Sequence, residues 1–216
     1  MTVNVEEALR YLGAGDADDN LRRAVADTAK EMEARITPRW TWRVYSLEQE
    51  PLRLQGTDTA LPGRLARRML ADCRQAALMA CTLGAEFDRM MRSAQARDMA
   101  RAVMLDACGS ALVEAGCDVA EREIAGRMPG LYLTDRFSPG YGDLPLETQR
   151  GLCAALDVAR RLGVSLTESC LMNPQKTVTA VIGLADRPQM ARIRGCAYCM
   201  MNKTCALRKG GKRCAV

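Results

Sequence analysis

Ten cysteines, no histidine and a net charge of +5 over 216 residues set the first limits on this chain. Without histidine, imidazole-based acid/base or triad chemistry is excluded, and any metal site must be built from thiolates or oxygens. Hydrophobic residues make up 48% and aromatics only 4%, with no run of eighteen apolar residues, which describes a soluble, helix-rich protein with no membrane span.

The first residues, MTVNVEEALRYLG, carry acids instead of the apolar stretch of a secretion signal. A cytoplasmic, reducing setting is therefore expected, in which cysteines are core filler, metal ligands or redox groups and not disulfides. Charge is unevenly spread. After Asp186 there are eight basic residues and no acid, so residues 187–216 carry +8 and the rest −3. The break divides the chain into a body, 1–186, and a basic, cysteine-rich tail, 187–216.

In chain order, Glu6 to Leu12 and Asp18 to Ile36 read as amphipathic helices, the second ended by Pro38. The β-prone run from Trp40 to Leu47 reads as a strand, with its tryptophans as core aromatics. Residues 48 to 62 read as a connection and LPGRLARRMLADC as a short helix. The apolar run Ala76 to Leu83 has the composition of a strand buried on both faces. A helix follows, and Gln95 to about Arg127 reads as one long core helix with a stripe through Ala100, Val103, Met104, Ala107, Cys108, Ala111, Leu112 and Ala115. Glu114 lies on or beside that stripe. It is either at the solvated edge or paired with a cation, because a lone buried carboxylate costs several kcal/mol.

LYLT, Leu131 to Thr134, reads as a short strand leading into RFSPGYGDLP, Arg136 to Pro145. Glycine and proline at this density fix an irregular backbone suited to presenting backbone groups and a side chain at set positions. Leu146 to Leu162 reads as one helix stopped by Gly163. LTESCLM and TVTAVIGLA read as strands about an Asn173-Pro174 turn. Helices interleaved with short strands give an α/β or α+β domain.

In the tail, Cys196, Cys199, Cys205 and Cys214 follow C-x2-C-x5-C-x8-C, a metal-ligand pattern open to zinc or an iron-sulfur cluster. It is not the C-x3-C-x2-C spacing of radical S-adenosylmethionine enzymes. Cys73, Cys81, Cys108, Cys117, Cys153 and Cys170 are scattered in apolar segments and read as core filler. Eight positive charges would attract phosphate, but with one aromatic in the tail, Tyr198, and no other basic face, a nucleic-acid partner is disfavoured.

Three motifs, in order, resemble the activation (reactivation) domain of cobalamin-dependent methionine synthase. They are the Leu-Val-Glu-Ala of the long helix, the Arg136-Phe137-Ser138-Pro139-Gly140-Tyr141 signature, and LTESCLMNP with the following Thr-Val. The resemblance runs from about Ala76 to Ala185 and implies mixed helices around a twisted, largely antiparallel sheet, to which the cysteine spacing adds the small metal-binding tail. It implies that Arg136 and Glu114 hold the amino-acid end of S-adenosylmethionine, that Ser138 and Gly140 offer backbone groups, and that Tyr141 lies where the methyl donor meets the corrin. The partner implied is a methionine synthase or other corrinoid protein carrying cobalamin on another chain, with a low-potential electron donor. Reducing divalent cobalt favours a [4Fe-4S] cluster over zinc in the tail. The alternative function is a corrinoid-protein chaperone or sensor with a structural zinc.

Overall fold

The computed structural model describes residues 1–189. Its centre is an antiparallel sheet of β1 (Arg39–Gln49), β2 (Leu52–Leu54), β3 (Cys73–Thr82), β4 (Tyr132–Leu133) and β7 (Thr177–Ala185), in the order β2-β1-β3-β7-β4. The expected antiparallel α/β architecture is therefore present. Alternation along the strands sorts side chains into two cores. On one face Trp40, Trp42, Ala77, Met79, Cys81, Ala180, Ile182 and Leu184 meet α1 (Val5–Tyr11), α2 (Asp19–Arg35), α4 (Gly84–Arg97) and α5 (Met99–Arg127). On the other, Ala76, Leu78, Ala80 and Val181 meet α3 (Arg64–Leu70), α6 (Thr148–Leu156) and α7 (Val158–Leu162). Burial on both faces accounts for the unbroken apolar run of β3.

The structure departs from the expected elements where one side chain overrides periodicity. Asp98 interrupts the helix expected from Gln95: its extended backbone (φ −154°, ψ 102°) ends α4, and its carboxylate caps α5 by accepting from the Arg101 N–H at 3.1 Å. Ala100 and Val103 of the proposed stripe are consequently exposed, and the buried face of α5 begins at Ala102 and Leu105. The helix expected over Leu146–Leu162 is broken by Asp157 in the left-handed region (φ 53°). Residues 48–62 are not only a connection, since Leu52–Leu54 returns along β1 as β2. LTESCLM is a polar turn between two two-residue strands, β5 (Ser165–Leu166) and β6 (Met172–Asn173), where the Thr167 Oγ accepts from the Leu171 N–H at 3.0 Å. The six cysteines of the body are buried and in no disulfide, as core filler should be.

Gly183 lets the edge strand approach. A Cβ there would lie 2.5 Å from Cys73 Sγ, 2.8 Å from Leu70 Cδ2 and 2.9 Å from Thr134 Cγ2. Gly183→Ala is expected to destabilise the fold by about 1–3 kcal/mol through overpacking, read as a loss in Tm of about 2–4 °C per kcal/mol. An unchanged Tm would mean that this edge of the sheet yields freely.

Candidate functional site

Arg136 owes its position to a bulge in the edge strand. Beside β7, Leu133 pairs with Leu184 and Phe137 with Val181, so the edge advances four residues while its partner advances three. One extra residue is inserted, and in a sheet that exchanges the faces of everything after it. With an unbroken register Arg136 would stand opposite Val181 and face the apolar layer of α3, α6 and α7. With the bulge, Phe137 takes that place, 2% exposed and bonded in both directions to the Val181 backbone at 3.0 and 2.8 Å. Arg136 turns instead towards α5.

There it meets three carboxylates. Nη2 donates to Glu114 Oε2 at 2.5 Å, and Nη1 donates to Asp118 Oδ1 at 2.7 Å and to Glu121 Oε2 at 2.5 Å. Positions 114, 118 and 121 recur on one helical face. The guanidinium is only 14% exposed. Its burial opposes the charge, but the Asp118 hydrogen bond and the charges of Glu114 and Glu121 outweigh this and hold it more firmly protonated than a free arginine. Glu114 is therefore paired with a cation, resolving the two readings open from its position in the sequence. Its charge also reaches Tyr11 of α1, whose hydroxyl pKa is pushed up to about 12 by burial first, then by Glu7 and Glu114. One turn back on α5, Lys176 Nζ donates to Ser110 Oγ at 2.8 Å and pairs with Asp106 at 3.0 Å.

After Phe137 the chain turns at Ser138-Pro139-Gly140-Tyr141, where the Tyr141 N–H donates to the Ser138 carbonyl at 3.1 Å and Gly140 has φ +83°. Proline second and glycine third is what a type II turn requires. Asp143 then pins the loop, its carboxylate accepting from the N–H groups of Arg64 at 2.8 Å and Leu65 at 2.9 Å. It stands in as the cap that Gly63 cannot give α3, and these donations hold its carboxyl below the usual range. The structure thus joins Arg136 and Glu114 directly. It places Ser138 and Gly140 in the turn two and four residues on. The Tyr141 ring is half-buried against the layer of α3 and α6, the far core from Glu114.

Asp118 and Glu121 were not singled out from sequence, although their spacing from Glu114 puts them on its face. Cys196, Cys199, Cys205 and Cys214 lie outside the described residues. Among the described residues no group of three or more cysteines and acids could hold a metal ion, and no helix is long and apolar enough to cross a membrane.

Compared with known proteins, residues 43–193 match the family model described as "Vitamin B12 dependent methionine synthase, activation domain". No curated protein matches the chain. A solved structure entitled "Crystal Structure of the MetH Reactivation Domain bound to AdoHcy" is similar, with a TM-score of 0.58 and 15% identity, over 94% of this chain and 76% of that one. At that identity the likeness is one of fold. The family match covers well over half of the sequence and includes the edge-strand bulge, the helix of Glu114 and the Pro-Gly-Tyr turn, so this chain belongs to the vitamin B12 dependent methionine synthase activation domain family.

Proposed function

We propose that the chain binds S-adenosylmethionine and takes part in reductive reactivation of a corrinoid held by a methionine synthase or another corrinoid protein. The observation that carries this reading is the Arg136–Glu114 pair, set at the protein surface between α5 and the edge strand. A guanidinium fork suits the ligand's carboxylate, and the acids around it suit an ammonium or sulfonium. Three carboxylates to one guanidinium leave the cluster negative, which complements a ligand of net charge +1. The structural relative is a reactivation domain bound to AdoHcy, the demethylated form of the same molecule. Ser138 and Gly140 offer backbone groups to the ligand, and Tyr141, half-buried against the layer of α3 and α6, follows them at the end of the turn.

The described body, with Arg187 tied to Asp72 at 2.5 Å, is the S-adenosylmethionine-binding unit. Cys196, Cys199, Cys205 and Cys214 are the proposed thiolate ligands of a [4Fe-4S] cluster, which supplies a low-potential electron when bound. Cobalt(II) plus that electron gives cobalt(I), and the methyl group passes from sulfur to cobalt, leaving S-adenosylhomocysteine. Methylation removes cobalt(I) as it forms, so an unfavourable reduction is drawn forward.

Calorimetry with S-adenosylmethionine tests the binding, and Glu114→Gln is expected to weaken it by about 1–2 kcal/mol, less than loss of Arg136 would. Unchanged affinity would take Glu114 out of the site. Anaerobically purified protein is expected to be brown, with broad absorbance at roughly 400 nm from thiolate-to-iron transitions. Colourless protein with one equivalent of zinc would instead support a structural tail and the chaperone or sensor function.

A further inference from the structure

The end of the Arg136 fork, Nη1 and Nη2, one of the two edges of a guanidinium that can grip a carboxylate in a bidentate contact, is already engaged by the protein's own carboxylates. An incoming carboxylate would be a fourth anion around one guanidinium, and a bidentate grip on that end requires one of the three to leave. They are not equivalent. The Asp118 side chain is 56% exposed, against 33% for Glu114 and 17% for Glu121. A carboxylate already largely in water loses little on release, because an exposed ion pair is worth little, whereas moving the more buried Glu121 carboxylate away from Arg136 would cost more. Asp118 also has the longest of the three contacts, at 2.7 Å, and shares Nη1 with Glu121, which can keep that nitrogen satisfied alone.

We infer that Asp118 is a placeholder: in the ligand-free chain it occupies on Arg136 the position of the ligand's carboxylate, and it yields that position on binding while Glu121 remains as the anchor. The arrangement follows from burial. A guanidinium 14% exposed would be costly without counter-ions, and a displaceable one keeps it aimed and neutralised until the ligand arrives. This inference rests on the reading of Arg136 as the partner of the S-adenosylmethionine carboxylate.

The test is calorimetry of the full chain and its Asp118→Asn and Asp118→Ala variants with S-adenosylmethionine and with its decarboxylated analogue. Removing the competitor is expected to tighten S-adenosylmethionine binding about 2- to 5-fold, Asp118→Ala at least as much as Asp118→Asn, with no gain for the decarboxylated analogue. Loss of an acid weakens the attraction of any cation, so a gain confined to the carboxylate-bearing ligand cannot come from overall charge. Unchanged or weaker S-adenosylmethionine binding by the variants, or an equal gain for both ligands, overturns the placeholder alone. Absence of binding by all three proteins removes the S-adenosylmethionine reading itself, and the placeholder with it.

Discussion

Arg136→Ala is expected to weaken S-adenosylmethionine binding by about 2–4 kcal/mol, roughly 30- to 900-fold in Kd. The size follows from what is lost: a charge-assisted, bidentate contact made by a side chain that is 14% exposed. The substitution also removes the cation that Glu114, Asp118 and Glu121 share on α5 and leaves their mutual repulsion, so a cost of about 1–2 kcal/mol in stability is expected as well. The two effects separate with Arg136→Lys. An ammonium answers the three carboxylates as a point charge, so the Tm should recover; it lacks the planar fork, so most of the affinity should not. If Arg136→Ala binds with the wild-type Kd, Arg136 serves α5 alone and the ligand's carboxylate is held elsewhere.

Removing residues 190–216, or making the single change Cys199→Ser, is expected to abolish methylation of a divalent-corrinoid protein in the presence of S-adenosylmethionine and a low-potential reductant, while leaving S-adenosylmethionine affinity within about 2-fold. The asymmetry is the point of the experiment. The residues proposed for ligand binding lie between Glu114 and Tyr141, on α5, the edge strand and its loop, and the sheet that supports them is complete by Ala185. The electron is assigned to a different stretch of chain. Loss of the brown colour together with loss of methylation would tie the two. Methylation at full rate by the truncated protein with the same donor would show that the tail relays no electron, and the structural-zinc tail would take its place.

That strands and helices alternate along the chain was legible because their signals are repetitive, whereas the antiparallel sheet was expected only from the family resemblance. Alternating and continuous apolar runs announced β1, β3 and β7, and 3,4-spacing announced α2 and α5. The misses share a cause. Asp98 and Asp157 break helices through one side chain or one left-handed backbone each, inside segments whose apolar period runs on undisturbed, and a period averages over such single events. At the site, Arg136 and Glu114 could be named from motif resemblance, whereas their pairing could not. It depends on a one-residue slip between Leu133 and Phe137 that only the neighbouring strand reveals. Asp118 and Glu121 were visible as helical neighbours of Glu114, but helical spacing alone does not tell that all three share one cation.

The same slip leaves the edge strand one residue longer than its partner needs between Leu133 and Phe137. Taking out Thr134 or Asp135 would even the count and leave Phe137 opposite Val181 with Arg136 opposite Ile182 on the α5 side, whereas straightening the strand at its present length would send Arg136 into the apolar layer of α3 and α6. Thr134 sits where the spare residue enters: its N–H donates to the Gly183 carbonyl at 3.0 Å and its hydroxyl accepts from the Gly183 N–H at 2.8 Å. The surface that offers Arg136 to a ligand therefore survives any change in this stretch that keeps Phe137, and not Arg136, paired with Val181.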